Sequence, residues 1–323
     1  MATRRSILTA GASTALLPTL SFANAAGKPN APNEPSASSL LINPDSLIPV
    51  TPIDRLTGFM RLFVGLRGKC VFTNEGIIYG KSDSQMAKPL YGFLAVLEVR
   101  VSEVEPGIYR SEQKEALVCT DLVTRMPLKN FINPYTSEKL IPVGYVSPNN
   151  VYFFDVTGSY ARALPKERSG IKQLNWRTSA TDIWVTESRF NRFPSSITEK
   201  EFPRAFSGEI RHSVDILTYR AKAVDFADLT INSVPSTLTM VSDTPWPLWL
   251  MMGKRPGGVI WHGFGQKYRQ LSDIPDVNRR AVDIAYPGFL DDPWGFASAD
   301  WGTAAQLRRL RAQGLLDAPE KVK

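Results

Sequence analysis

Nine stretches of this chain, residues 70–79, 90–101, 116–122, 140–146, 151–156, 182–187, 209–220, 237–242 and 259–268, are rich in Val, Ile, Tyr, Phe and Trp and bounded by Gly, Pro, Asn or Ser. Branched and aromatic side chains suit a pleated, half-buried surface and the bounding residues suit turns, so each stretch predicts a strand. Few helical patterns separate them, which removes the regular alternation of a parallel sheet, and neither GxGxxG nor a P-loop occurs. That many strands must close or stack to avoid exposed edges. The expected fold is mainly β: a large antiparallel β-barrel of calycin or lipocalin type with a few peripheral helices.

Two segments read as helix. In residues 52–65, Ile53, Leu56, Phe59, Met60 and Phe63 recur at helical spacing after Thr51, a capping residue. In residues 303–315, Leu307 and Leu310 form an apolar side to dock on the barrel wall, with Arg308, Arg309 and Arg311 toward water. The start of the chain has another character. Arg4 and Arg5 precede a small-residue apolar run and Ala23-Asn24-Ala25 has the small-x-small form of a cleavage site, which resembles a twin-arginine export signal. The resemblance implies handling by the twin-arginine translocase and signal peptidase, cleavage after Ala25 and a periplasmic protein. The run is too short to span a bilayer, and no later segment is long and uncharged enough, so stable membrane insertion of the mature chain is not expected. Residues 26–46, rich in Pro, Ser and Asn, bury too little surface to offset ordering. The expected organisation is a signal peptide over 1–25, a flexible linker over 26–50, a barrel over 51–293 and a helical tail over 294–323.

Losing Arg4 and Arg5 takes 38 basic side chains to 36 against 31 acidic, a charge of +5 scattered along the chain. Without a basic stripe carrying aromatics, nucleic acid is not an expected partner. Two histidines and two cysteines, Cys70 and Cys119, never lie close in sequence, so a zinc site of ordinary type has no ligand set and neither metal nor cofactor is expected. The cysteines read as buried thiols or as one disulfide.

Chemistry-bearing residues concentrate in 246–267, where Trp246, Trp249, Met251, Met252, Trp261, His262 and Phe264 lie close together. They suit an aromatic cleft for a flat ligand, and equally a filled barrel interior. On a strand, Ile260, His262, Phe264 and Tyr268 share one face and Val259, Trp261 and Lys267 the other; likewise Ile210, His212, Val214 and Ile216 share a face opposite Arg211, Ser213 and Asp215. Both histidines fall on apolar faces, where imidazole serves as a proton-transfer group or as a core residue bonded to a carbonyl. Tyr152, Asp155, Tyr160, Glu187 and Arg211 are the polar candidates to orient a ligand. His262, His212, Arg211 and Tyr152 are the catalytic candidates; Trp246, Trp249, Met251, Met252, Trp261, Phe264, Asp155 and Glu187 are the binding candidates. No G-x-S-x-G occurs, and Ser169-x-x-Lys172 lacks its companion motifs.

Several motifs occur in the order of one known family: Asn133-Pro-Tyr-Thr-Ser-Glu138, Phe206-Ser-Gly-Glu209, Pro245-Trp-Pro-Leu-Trp-Leu-Met-Met-Gly253, Pro256-Gly-Gly-Val-Ile-Trp-His-Gly-Phe-Gly-Gln-Lys267 and Tyr286-Pro-Gly-Phe289. The chain resembles the domain-of-unknown-function family numbered 1838 over roughly residues 56–294. It departs at Ser137, where the family tends to Gly, and at Gln266, where a basic residue is common. The resemblance transfers no catalytic residue. The functional expectation is a cofactor-independent lyase or isomerase acting on an aromatic or apolar small molecule in the barrel cavity, with His262 moving the proton. A binding protein without chemistry and a structural envelope protein are the alternatives.

Overall fold

The computed structural model describes residues 44–82, 85–160 and 174–316. The expected signal peptide, most of the linker, and Ser169 and Lys172 lie outside the described residues. The strands are β1 Gly68–Ser82, β2 Gln85–Glu105, β3 Ile108–Thr120, β4 Phe131–Ile132, β5 Lys139–Leu140, β6 Tyr145–Val146, β7 Asn150–Asp155, β8 Gly158–Tyr160, β9 Asn175–Thr178, β10 Asp182–Pro194, β11 Ile210–Lys222, β12 Thr237–Thr244 and β13 Gly258–Tyr268. Eleven form one sheet in the order β8-β7-β3-β2-β1-β13-β12-β11-β10-β9, with β6 on β3, and β4 pairs with β5 apart from it. Every pairing is antiparallel. Two meanders thus meet where β13 returns to β1, with Trp261 opposite Ile78 and His262 opposite Ile77.

Register fixes the two faces of this sheet. Cys70, Phe72, Asn74 and Ile78 of β1 share a face with Val99, Leu97, Ala95 and Tyr91 of β2, with Glu115, Leu117 and Cys119 of β3, and with Trp261 and Lys267 of β13. The sheet curls about this face. Phe154 of β7 and Ile183 and Val185 of β10, near opposite ends of the strand order, belong to one core.

Helix α1, Pro52–Phe63, plugs that end of the trough, and a short helix, α2, Ala223–Ala227, follows β11. Thr51 Oγ1 accepts from Asp54 N at 3.2 Å and Pro52 occupies the first turn, the sequence signature of a helix start. Leu56, Phe59, Met60 and Phe63 are buried, and the Phe63 ring lies 5.9 Å from Phe154 and 5.3 Å from Tyr219. Each such side chain contributes about 1.5–3 kcal/mol by leaving water. Lys267 reaches from β13 to donate to Arg61 O and Leu62 O at 2.9 and 3.0 Å, satisfying carbonyls of the last helical turn. Burial brings its ammonium down to about 7, despite the opposing influence of Cys70.

The outer face of β1–β3 is covered in turn. Val71, Leu94, Val96, Ala116 and Val118 pack against Ala281 and Val282 of α3, Asp276–Ala285, and against Tyr286 and Phe289 beyond it. Tyr286 OH donates to Leu117 O at 2.7 Å.

All nine expected strand regions contain strand, but residues 140–146 do not form one strand. Residues 141–144 separate β5 from β6, and at Gly144 the chain passes so close to β3 that a Cβ there would meet Leu117 O at 2.0 Å. The second expected helix forms as α4, Thr303–Ala312, with Leu307 buried. Arg311 does not point simply to water: its guanidinium stacks 3.5 Å from the Phe202 ring centre and donates to Glu201 O. Cys70 and Cys119 are free and buried, and desolvation raises both thiols to about 12. No helix among the described residues is long and apolar enough to cross a membrane.

Candidate functional site

Away from α1, the concave face changes character. On β3, β10, β11 and β12 the inward positions are Glu115, then Glu187, Arg189, Asn191, then Arg211, Ser213, Asp215, then Ser242 and Thr244. Polar groups on an inward face need partners or a solvent-filled space. Here Glu115, Arg189, Arg211, Asp215, Ser242 and Thr244 border a cavity of about 560 Å³, which Tyr91, Phe93, Leu248, Trp249 and Trp261 line with aromatic and apolar surface.

Within the wall, Tyr145 OH donates to Glu115 Oε2 at 2.7 Å. Desolvation pushes the Glu115 carboxyl above its ordinary range, with the Tyr145 bond acting the other way. Desolvation first, and Glu115 second, push the Tyr145 phenol well above its own. Asp215 is held differently. One oxygen accepts from Asn191 Nδ2 at 2.6 Å and the other from Ser242 Oγ, while Asn191 also reaches Ser213 Oγ at 3.1 Å. Arg189 donates to Glu187 Oε2 at 2.8 Å. Arg211 donates to Trp246 O at 3.1 Å and faces the Phe193 ring at 5.8 Å. Trp261 Nε1 donates to Thr244 Oγ1 at 3.0 Å, which fixes the indole against Phe93 at a ring separation of 5.1 Å. Gly263 makes room for that pair, since a Cβ there would fall 2.6 Å from the Phe93 ring.

Of the residues expected from sequence, Arg211, Trp249 and Trp261 line this cavity. Glu187 lies buried behind it on Arg189. Tyr152 lies inward on β7, its phenol raised by burial, with Arg189 lowering it and Glu115 raising it. Trp246 is buried, its Nε1 donating to Arg255 O at 3.1 Å and its carbonyl receiving Arg211. Met252 is buried with its sulfur accepting from Asn133 Nδ2 at 3.3 Å, so the Asn133 turn latches the tryptophan segment in place. Ser137, in the family's glycine position, holds φ at +60°, so the turn keeps the left-handed geometry glycine favours. Met251 faces a separate polar hollow with Tyr135 and Arg204.

The remaining candidates are elsewhere. His262 and Phe264 stand on the outer face, rings 4.9 Å apart, in a groove of about 300 Å³ shared with Glu75 and Arg125. His212 is exposed on the outer face, opposite Arg192. Asp155 borders a hollow beside α1 and accepts from Thr157 N and Oγ1 at 2.7 and 2.6 Å. The side chain of Tyr160 lies outside the described part. Both histidines do share the faces expected of them, but those faces are convex: Ile210 and Ile216 beside His212 are 40% and 43% exposed, and Phe264 is 57% exposed. Sequence reasoning passed over Glu115, Tyr145, Arg189 and Ser242 as site residues. The signal was the run of polar side chains at every second position of β10 and β11, which a strand aims into one space. Among the described residues no group of three or more His, Cys, Asp or Glu is placed to hold a metal ion.

A family model described as "Protein of unknown function (DUF1838)" matches residues 68–303, from the start of β1 to the start of α4. No curated protein matches the chain. The matched stretch contains every strand and every cavity residue named above.

Proposed function

The chain belongs to the DUF1838 family, and from its concave cavity we propose that it is a cofactor-independent lyase or isomerase acting on a small molecule with an aromatic or apolar body. The observation that carries this reading is the Glu115 carboxyl in the cavity wall. Glu115 is desolvated beside a neutral phenol, while Asp215 is held by two donors. A desolvated carboxyl beside a hydrogen-bonding phenol is suited to hold and release a proton. In this reading Glu115 moves the proton, Tyr145 stabilises its charged form, and Trp249 and Trp261 hold the apolar body against water. His262, on the convex groove, stands outside the reacting centre. In this reading the curled sheet is a calycin-like barrel, a reading supported by the core that Phe154 of β7 shares with Ile183 and Val185 of β10.

A metabolite extract incubated with the purified chain and analysed by native mass spectrometry and product analysis tests the activity. The expected result is a transformed product formed by the wild type and lost in Glu115→Gln; recovery of bound ligand unchanged with both proteins replaces catalysis by simple binding.

The same reading places the protein in the periplasm by the twin-arginine route. Two free, buried thiols fit a chain that folds before it meets an oxidant. Replacing Arg4 and Arg5 together by Lys is expected to leave an uncleaved precursor in the cytoplasm, and normal periplasmic accumulation of that variant would contradict the assignment.

A further inference from the structure

Arg211 is the exception among the charged groups of the cavity wall. Arg189 is neutralised by Glu187 at 2.8 Å. The Asp215 oxygens are taken by Asn191 and Ser242, and Glu115 is engaged by Tyr145. Arg211 donates one bond, to a backbone carbonyl, and its Nε is buried without an acceptor. Among the described residues no carboxylate comes within ion-pair distance of it. Asp215 is four positions further along the same face of β11, about 13 Å away at strand spacing. Desolvation lowers the Arg211 pKa with no carboxylate opposing it.

A guanidinium presents five donors in a planar fork and does not give up its charge in a protein, so a desolvated arginine calls for an anion. The fork matches the two oxygens of a carboxylate. Aromatic and apolar walls at Phe193, Trp249 and Trp261 suit a hydrocarbon or aromatic body rather than a highly charged one. We infer that the cavity takes an aromatic monocarboxylate whose carboxylate docks on Arg211 and whose ring lies along the tryptophan wall. This rests on the reading of the cavity as a small-molecule site and adds to it the charge and orientation of the ligand.

The test is calorimetric titration of the full mature chain with benzoate, cinnamate and indole-3-acetate, each beside its primary amide, for the wild type, Arg211→Gln and Arg211→Lys. At least one acid is expected to bind the wild type about tenfold or more tighter than its amide. Arg211→Gln is expected to remove that preference, and Arg211→Lys, which keeps the charge and loses the fork, to keep part of it. The lysine variant decides the matter if the glutamine variant fails to fold. Acids and amides bound alike by the wild type, or a preference undiminished in Arg211→Gln or in Arg211→Lys, overturn the docking of a carboxylate on Arg211 and leave the cavity reading standing. If neither acids nor amides bind at about 1 mM, both fall.

Discussion

Glu115 faces inward on β3 two positions before Leu117 and four before Cys119, so its carboxyl meets the cavity and the Tyr145 phenol. Its raised pKa has a consequence for stability. An unfolded glutamate ionises near 4.5, the folded one at higher pH. The folded state therefore binds more protons between those values, and the contribution, complete below 4.5, is lost as pH rises. In thermal melts at rising pH above 4.5, Glu115→Gln is expected to gain on the wild type; a gap that moves the other way contradicts the buried acid. Single residues were only half legible in the sequence. Alternation along a strand tells which side chains share a face, and it grouped His262 with Phe264 and Arg211 with Asp215 correctly. It does not tell which face is concave. Apolar neighbours suggested the interior for the histidines, yet here a polar face lines the cavity and an apolar one meets solvent.

Elements were legible where apolar patterning and chemistry agreed. Thr51, Pro52 and the spacing of Leu56, Phe59 and Phe63 all mark α1. Replacing Thr51 by Ala removes the acceptor for Asp54 N and is expected to cost about 0.5–2 kcal/mol. Urea unfolding reads this as a lower midpoint at unchanged slope, and an unchanged midpoint means the cap contributes nothing. Strand boundaries failed in a telling way. The first half of β3, with Ser111, Gln113 and Glu115, and the second half of β10, with Arg189 and Asn191, extend beyond the stretches marked by Val, Ile and aromatics. Polar inward residues lower the apparent strand propensity just where the cavity needs them, so the segments hardest to read as strand carry part of the site.

At the scale of the whole molecule, the last strand joins the first and brings two meanders into one curled sheet. One end is packed by α1; toward the other, polar side chains and tryptophans border a cavity. Nothing in the periodicity of any one strand announces that division, because it arises from residues far apart in sequence, such as Asn74, Glu115, Arg211 and Trp261, lining one cavity. The mainly β, antiparallel character followed from the strand-favouring runs; the place of the site required the curl. On the proposed function, proton transfer belongs to the inner cavity through Glu115 and not to the outer groove of His262. Its most direct measurement is incorporation of solvent deuterium at carbon, read by mass spectrometry after a metabolite extract is incubated in D₂O with the wild type, Glu115→Gln or His262→Ala. Labelling is expected at similar rates with the wild type and His262→Ala, with a loss of about 10²–10⁴-fold in Glu115→Gln. Full labelling by Glu115→Gln with none by His262→Ala would contradict the proposed function.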